Sequence, residues 1–305
     1  MAQLIKLKDY ISRYEWNAYR YPSQYIRLKQ ENWEKLYDIW LDRDNTMEKQ
    51  STTGKKTSSF TKFRPFMKQN NESEDIVTTA DLLPATETEL KQYFLNKLLP
   101  FQIRWATSTV TDVSFTDQDY QYDDTLKYFL QRFPDIYLLM YYPIFNIKNA
   151  PVDGEIILIS PFGLDIISLL EFDEETIIMA GDDRTWKIEN EYEEKTIISP
   201  LIALKRTEHI IKRILYTEQV EFPINKIVLS RTNHIVFSSE PYQTKIIGKL
   251  QHERWFKEKR ELKSSLKGEQ LKTIEALLKY CLTTSIKRPE WEEELSIMTD
   301  DREEY

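Results

Sequence analysis

The sequence is poor in the residues from which many enzyme sites are built. Cys281 is the one cysteine among 305 residues, so an internal disulfide and a site made of several cysteines are excluded. There are six glycines and neither a G-x-x-x-x-G-K-[ST] nor a G-x-G-x-x-G pattern, which leaves the common phosphate-binding loops without their motif. Three histidines, His209, His234 and His252, show no H-E-x-x-H spacing, which argues against a zinc site built on histidine.

Long apolar segments are also missing. The longest apolar run, residues 136–145, has ten residues, too few to cross a bilayer, and the N-terminus shows no cleavable signal pattern. We therefore expect a soluble cytoplasmic protein with no membrane partner. Aromatic residues are plentiful, with 18 Tyr, 14 Phe and 7 Trp, so the chain can fill a sizeable core.

The net charge of −8 is distributed unevenly along the chain. Residues 290–305 hold eight acids and one arginine, whereas residues 245–272 hold nine Lys or Arg and four Glu. A basic segment followed by an acidic tail is typical of proteins that contact nucleic acid, with a tail that competes for the same cations. A solvated helix face followed by a disordered end explains the same pattern, and the sequence favours this second interpretation.

Four regions are predicted from the pattern of apolar and polar residues. Apolar residues at steps of three and four predict an N-terminal helical hairpin over 1–43. A polar linker follows over 44–83, then an α/β domain over 84–288 and an acidic tail over 289–305. Residues 101–110 read as a strand within the α/β domain, and residues 241–256 read as a helix.

The α/β domain is predicted to hold a mixed central sheet flanked by helices. Strands are expected at 136–145, 155–160, 164–171, 176–179, 224–229 and 234–237. Pro200 at the first position of a helix that follows Ser199 predicts a long helix to about residue 216. Residues 156–159 are continuously apolar, which is typical of a central strand buried on both faces.

The segment 152–171 carries the clearest functional signal. Glu155 stands six residues before Pro161, in a strand that leads into a Pro161-Phe162-Gly163 turn and a second strand; Trp186 and a Ser199-Pro200 helix start follow. In these features residues 119–237 resemble the nuclease-related domain (NERD) family, a branch of the PD-(D/E)xK nuclease superfamily. The resemblance implies a PD-(D/E)xK nuclease-like fold and a Mg²⁺- or Mn²⁺-dependent site for phosphodiester cleavage on the hairpin.

The chain departs from the family where the chemistry would be done. Ser168 and Leu170 stand at the Glu-x-Lys positions of the second strand, and Ala203 replaces the glutamine of the helix. A serine is a poor ligand for a hard cation, and a leucine cannot polarise water. The first hypothesis is therefore a catalytically impaired domain, without a cofactor, that keeps the fold to bind nucleic acid or protein.

Two further hypotheses stay open. An active nuclease would use relocated acids, Asp124, Glu155 and Glu171, with Glu155 as a ligand of Mg²⁺ or Mn²⁺; Glu171 reaches such a site only if a bulge turns it to the face of Glu155. An interaction or scaffold protein would instead dock on a protein partner through residues 1–80.

Cations near the predicted hairpin suggest where DNA or RNA would bind. The helix from Pro200 presents three candidates on one face, and the basic segment adds two more beside an aromatic residue. These candidate nucleic-acid-binding residues are Lys205, His209, Lys212, Arg254 and Lys257. A solvated helix surface explains the same residues without any ligand.

Overall fold

A computed structural model describes residues 1–50, 83–191 and 193–288. Most of the predicted linker and the whole predicted acidic tail lie outside the described residues. The chain forms two compact units, one of Met1–Ser23 with Phe101–Tyr305 and one of Gln24–Pro100. None of the helices in these described ranges combines the length and apolar character that a bilayer crossing requires.

The helices and strands are numbered in chain order. They are β1 (Gln3–Leu7), α1 (Arg13–Trp16), α2 (Arg20–Gln50), α3 (Glu87–Trp105), β2 (Asp112–Val113), α4 (Asp124–Arg132), β3 (Leu138–Tyr141), β4 (Ile144–Ile147), β5 (Ala150–Asp153), β6 (Ile156–Ser160), β7 (Gly163–Leu169), β8 (Ile177–Met179), β9 (Thr185–Glu189), β10 (Glu194–Ile198), α5 (Pro200–Thr217), β11 (Ile224–Leu229), β12 (His234–Val236), β13 (Thr244–Ile247), α6 (Lys249–Arg260), α7 (Gly268–Lys279) and β14 (Ile286–Lys287).

The α/β unit is built on a mixed six-stranded sheet with the order β1-β3-β6-β7-β11-β13, which confirms the predicted fold class. β6 pairs antiparallel with both β3 and β7, whereas β7 and β11 are parallel. Parallel neighbours cannot be joined by a tight turn, and α5 lies in the crossover between them. β6 is buried along its whole length, as its continuous apolar sequence predicts.

A smaller four-stranded sheet has the order β10-β9-β8-β12. β8 and β9 form an antiparallel pair across a tight loop at 180–184. Asp182 Oδ1 accepts hydrogen bonds from the backbone N–H of Arg184 and of Thr185, both at 2.8 Å, which closes this loop. The short polar side chain thus replaces backbone partners that the turn cannot supply.

The N-terminal helical prediction is wrong at its start, because Gln3–Leu7 is a strand. All five residues of β1 are buried, so the three-residue step from Leu4 to Leu7 does not mark one face of a helix. The buried polar groups are satisfied: Lys6 Nζ donates to Tyr10 O at 2.8 Å and to Glu15 Oε1 at 2.6 Å. The predicted helix is present further on as α2, with Pro22 in its first turn, where a proline is tolerated.

Two other sequence predictions are wrong in the α/β unit. Residues 101–105 continue helix α3, in which Pro100 is internal, instead of forming a strand. The Gln102 side chain of this helix bridges β1, accepting from Leu4 N at 2.7 Å and donating to Ala2 O at 2.8 Å. Thr244–Ile247 is strand β13 and not helix, because it pairs with the buried strand β11. In both cases long-range pairing overrides the local pattern.

Asn233 joins the loop after β7 to the loop after β11. The residue is fully buried, and its Oδ1 accepts from Phe172 N at 2.9 Å. Its Nδ2 donates to Asp173 O at 2.8 Å and to Thr176 O at 3.0 Å. The side chain therefore satisfies three backbone groups, of which the Thr176 carbonyl is buried, and it holds two loops beside the central sheet.

Replacing this amide should destabilise the protein strongly. Asn233→Ala leaves the buried Thr176 carbonyl and the partly buried Phe172 N–H and Asp173 carbonyl without their partner, which should cost about 1–3 kcal/mol in the free energy of unfolding. Denaturant unfolding followed by circular dichroism measures this loss. The control is Asn146→Ala on β4, where the side chain is exposed and the change should be small. Equal stabilities for the two variants would contradict this role for Asn233.

Candidate functional site

The β6–β7 hairpin brings Glu155 next to Ser168. The ladder pairs Ile156 with Ile167 and Ile157 with Ile166, so the next position places Glu155 opposite Ser168. The Ser168 side chain lies close enough to the Glu155 carboxyl group to lower its pKa. The Glu155 backbone N–H donates to Thr207 Oγ1 on α5 at 3.2 Å, which ties the strand entry to that helix.

The surroundings of Glu155 favour its neutral form. Burial raises the pKa of this carboxyl group, although the Ser168 hydroxyl and the nearby positive charge of Arg206 lower it in part. If Glu155 and a second carboxylate held a metal ion between them, the positive charge of the ion would instead lower the pKa of Glu155. Here one half-buried carboxyl group faces a hydroxyl and a guanidinium.

Glu171 is paired with an arginine. Arg231 donates through Nε to Glu171 Oε1 and through Nη2 to Oε2 at 2.6 Å, so the pair is bidentate. The two side chains are 22% and 21% exposed, which shields the pair from solvent. The Cζ atom of Arg231 lies 4.5 Å from the centroid of the Tyr128 ring, and Tyr128 Oη lies 2.7 Å from His252 Nε2. Glu171 is thus held in a polar cluster of its own.

Asp124 does not reach the hairpin acids. It is the first residue of α4, its side chain is 91% exposed, and its Oδ1 lies 3.6 Å from Lys127 Nζ. Its neighbour Asp123 caps the helix by accepting from Leu126 N at 2.9 Å, and it also accepts from Tyr141 Oη at 2.8 Å. Across the described residues no three His, Cys, Asp or Glu side chains are grouped so that they could hold a metal ion.

Tyr142 is a site residue that the sequence did not reveal. Burial, together with the nearby charges of Glu155, Asp123 and Glu171, raises its pKa to about 12, so the ring lies within electrostatic reach of the three acids. Its φ of 47° is in the left-handed region, which a tyrosine seldom adopts. The following Pro143 marks a break in the predicted strand 136–145, but nothing in the pattern indicates the direction in which the chain turns.

The predicted nucleic-acid-binding cations already have partners. Lys205 Nζ is 2.7 Å from Asp183 Oδ2, and Lys212 Nζ is 2.8 Å from Glu208 Oε1. His209 Nδ1 is 2.8 Å from Lys205 O, its hydrogen-bond partner. On α6, Arg254 pairs with Glu258 at 3.1 Å and Lys257 lies 3.9 Å from Glu261.

These cations lie on opposite faces of the sheet. Asp165 and Ile166 are consecutive on β7, so their side chains point to opposite sides. Asp165 pairs with Lys259 of α6, whereas Lys226, the partner of Ile166 in the ladder, reaches Glu208 of α5 at 2.6 Å. The α5 group and the α6 group therefore do not form one continuous binding surface.

Comparisons with known proteins match only a small part of this chain. No family model matches the chain, and no solved structure matches it. An RNA 2',3'-cyclic phosphodiesterase of Geobacillus stearothermophilus is 55% identical over 45 residues. That stretch is 14% of this chain and 14% of the other protein, so the chain matches only a small part of this curated relative.

Removing the Glu155 charge should stabilise the protein at neutral pH. Because the folded-state pKa of this acid is raised, the folded chain binds a proton that the unfolded chain releases, and stability falls as pH rises from the unfolded value of about 4.3 through the folded value. Glu155→Gln should therefore unfold at a higher temperature than the parent at pH 7 and lose this advantage at pH 4. Thermal melts at both values test this.

The matched control is Glu174→Gln, at an exposed position close to the hairpin. It should leave the melting temperature unchanged at both pH values. A Glu155→Gln variant that is less stable than the parent at pH 7 would contradict the assigned environment.

Proposed function

We propose that the α/β unit is a catalytically impaired nuclease-related domain that binds nucleic acid without cutting it. The observation that carries this proposal is the pairing of Glu155 with Ser168, at the place where a second carboxylate would complete a metal site. Glu171, the nearest replacement, is engaged by Arg231.

The residues present do not fit Mg²⁺ or Mn²⁺. Both ions prefer several oxygen ligands, and in cleavage sites carboxylates supply the negative charge. Here one carboxyl group with a raised pKa meets a hydroxyl, and the side chain of Leu170 is apolar where a lysine would act. The hypothesis of an active nuclease would require Glu171, which lies beyond the end of β7, to leave its arginine.

The cations of α5 support nucleic acid as the ligand. Arg206 is exposed on α5 and close enough to Glu155 to lower its pKa, so a guanidinium stands beside the hairpin. Lys205 and Arg213 lie on the same helix, and such cations gain affinity for phosphates by releasing counterions. The short match adds a protein whose name refers to RNA, so RNA belongs among the ligands to be tested.

Nuclease and binding assays on the full chain test the proposal. Single- and double-stranded DNA and RNA should remain uncut with Mg²⁺ or Mn²⁺, and binding should weaken as salt rises. Lys205→Gln with Arg206→Gln should lower the affinity and reduce the magnitude of the slope of log K against log salt by about 1.4 to 1.8, for two lost phosphate contacts. Lys187→Gln on β9, where the exposed ammonium pairs with Glu194, is the control for the loss of a surface cation outside α5.

The possible outcomes separate the three hypotheses. Metal-dependent cleavage that Glu155→Ala abolishes would establish the active nuclease. Absence of binding to every nucleic acid would overturn the proposal and leave docking on a protein partner through residues 1–80 as the hypothesis to pursue.

Reinstating the missing side chains should restore a metal site if the hairpin has a nuclease-type geometry. In Ser168→Glu/Leu170→Lys the new carboxylate faces Glu155, so the two acids should repel without metal and bind Mn²⁺ together. At an ion concentration of 100 times Kd, binding stabilises the folded state by about 2.7 kcal/mol, which raises the melting temperature.

Two controls make this test specific. Ser168→Gln/Leu170→Met has similar volumes without the charges and should not respond to Mn²⁺. Adding Glu155→Gln to the reinstated variant should abolish the response. A folded reinstated variant that ignores Mn²⁺ would show that the hairpin lacks this geometry.

A further inference from the structure

A polar cleft lies at the turn end of the β6–β7 hairpin, on the face of the sheet that α6 covers. We call it the turn cleft; its volume is about 290 Å³, and its lining includes Tyr137, Phe162, Asp165, Lys245, Trp255 and Lys259. The hairpin turn is at the opposite end of β6 from Glu155. The turn cleft is thus separate from the candidate site described above.

The floor of the turn cleft is fixed by a buried ion pair. Asp165 is 3% exposed; its Oδ1 accepts from Asn225 Nδ2 at 3.0 Å, and its Oδ2 is paired with Lys259 Nζ. Tyr137 Oη donates to Lys259 O at 3.0 Å, which fixes the end of α6 against the sheet. Because both carboxylate oxygens are satisfied, the floor is preorganised and carries no net charge.

The rim of the turn cleft combines cations with an exposed ring. Lys245 on β13 is exposed and has no ion-pair partner among the residues that the structure describes. The Phe162 ring is 53% exposed, and Lys267 Nζ lies 3.8 Å from its centroid. The wall adds Trp255, which is 6% exposed and whose indole N–H has no acceptor in the described part of the chain.

We propose that the turn cleft binds a nucleotide, with the base against Phe162 and the phosphate paired with Lys245. Glu258 also lines the cleft but pairs with Arg254, so the charge without an ion-pair partner among the described lining residues is that of Lys245, which favours an anion. The exposed Phe162 ring offers a stacking surface that any base can use. The cleft volume is at the lower end of the range for small-molecule sites, which suits one nucleotide.

The nucleotide could be a free mononucleotide or one residue of a single strand, since both present a base and a phosphate. This inference does not rest on the proposed function, because α5 and its cations cover the other face of the sheet. Lys205 and Arg206 can therefore be changed without altering the turn cleft.

Calorimetric titration of the full chain with AMP, adenosine, inorganic phosphate and a short oligo(dA) tests the proposal. AMP should bind saturably and more tightly than adenosine or phosphate, since each of these lacks half of the contacts. Phe162→Leu should weaken AMP binding about 5- to 150-fold, the range for one lost base–aromatic contact. Lys245→Gln should weaken AMP binding more than Lys249→Gln, an equal charge change on the first residue of α6.

Both cleft substitutions are at exposed positions, so thermal melts should show folded proteins. In a Lys205→Gln/Arg206→Gln background, which removes the α5 surface, an oligonucleotide that binds more tightly than AMP and is weakened by Phe162→Leu assigns the cleft to a strand. The reverse order of affinities assigns it to a free nucleotide, and oligonucleotide binding that Phe162→Leu leaves unchanged would count against the site. Absence of saturable binding at ligand concentrations on the order of 1 mM would overturn it. Equal losses for Lys245→Gln and Lys249→Gln would also overturn it. Arg206→Gln should leave AMP binding unchanged, which separates this test from that of the α5 surface.

Discussion

The antiparallel register of β6 with β7 determines what each side chain near the hairpin can do. The ladder runs without a shift from Ser160–Gly163 to Ile156–Ile167. Side chains alternate between the two faces along a regular strand, so Glu155 and Ser168 share one face while Asp165 lies on the other. Glu171 lies beyond the end of β7 at Leu169, and Arg231 holds its carboxylate. The register thus separates Glu155 from Asp165, and packing on both sides of the buried strands prevents a slip.

Buried charged side chains in this unit form ion pairs with side chains of opposite charge. Lys6 with Glu15, Lys226 with Glu208 and Lys259 with Asp165 each join a buried group to its partner. Removing one member of such a pair leaves an uncompensated charge, which is strongly destabilising. For Glu208, hydrogen bonds from Lys212 and Lys226 outweigh the burial that opposes them and lower the pKa. Glu155 differs, because its close partner is a hydroxyl and its pKa is raised.

The sequence predicts those features that local patterns control. The hairpin, its buried first strand and helix α5 follow from the apolar run, the turn residues and Pro200, and the pairing of Glu155 with Ser168 follows from the register. Strand β1 and the helical residues 101–105 are not predictable in this way, because contacts with distant segments decide them. The partner of Glu171 is 60 residues away along the chain, so no local pattern predicts it. The left-handed φ of Tyr142 is not predictable either, because a tyrosine and not a glycine stands at this position.

The proposed binding of nucleic acid also depends on how readily each cation can exchange its carboxylate partner for a phosphate. Lys205 and Asp183 are both well exposed, at 44% and 67%, and such surface pairs contribute at most about 1 kcal/mol, so a phosphate can replace the carboxylate. Glu208 is only 9% exposed and also neutralises the buried Lys226, so withdrawing Lys212 disturbs a larger network. The residues of α5 that can serve a ligand are therefore those at its N-terminal end, near Arg206, and not those around Lys212. The burial of each cation's partner makes this distinction, and the spacing of the cations along the helix does not.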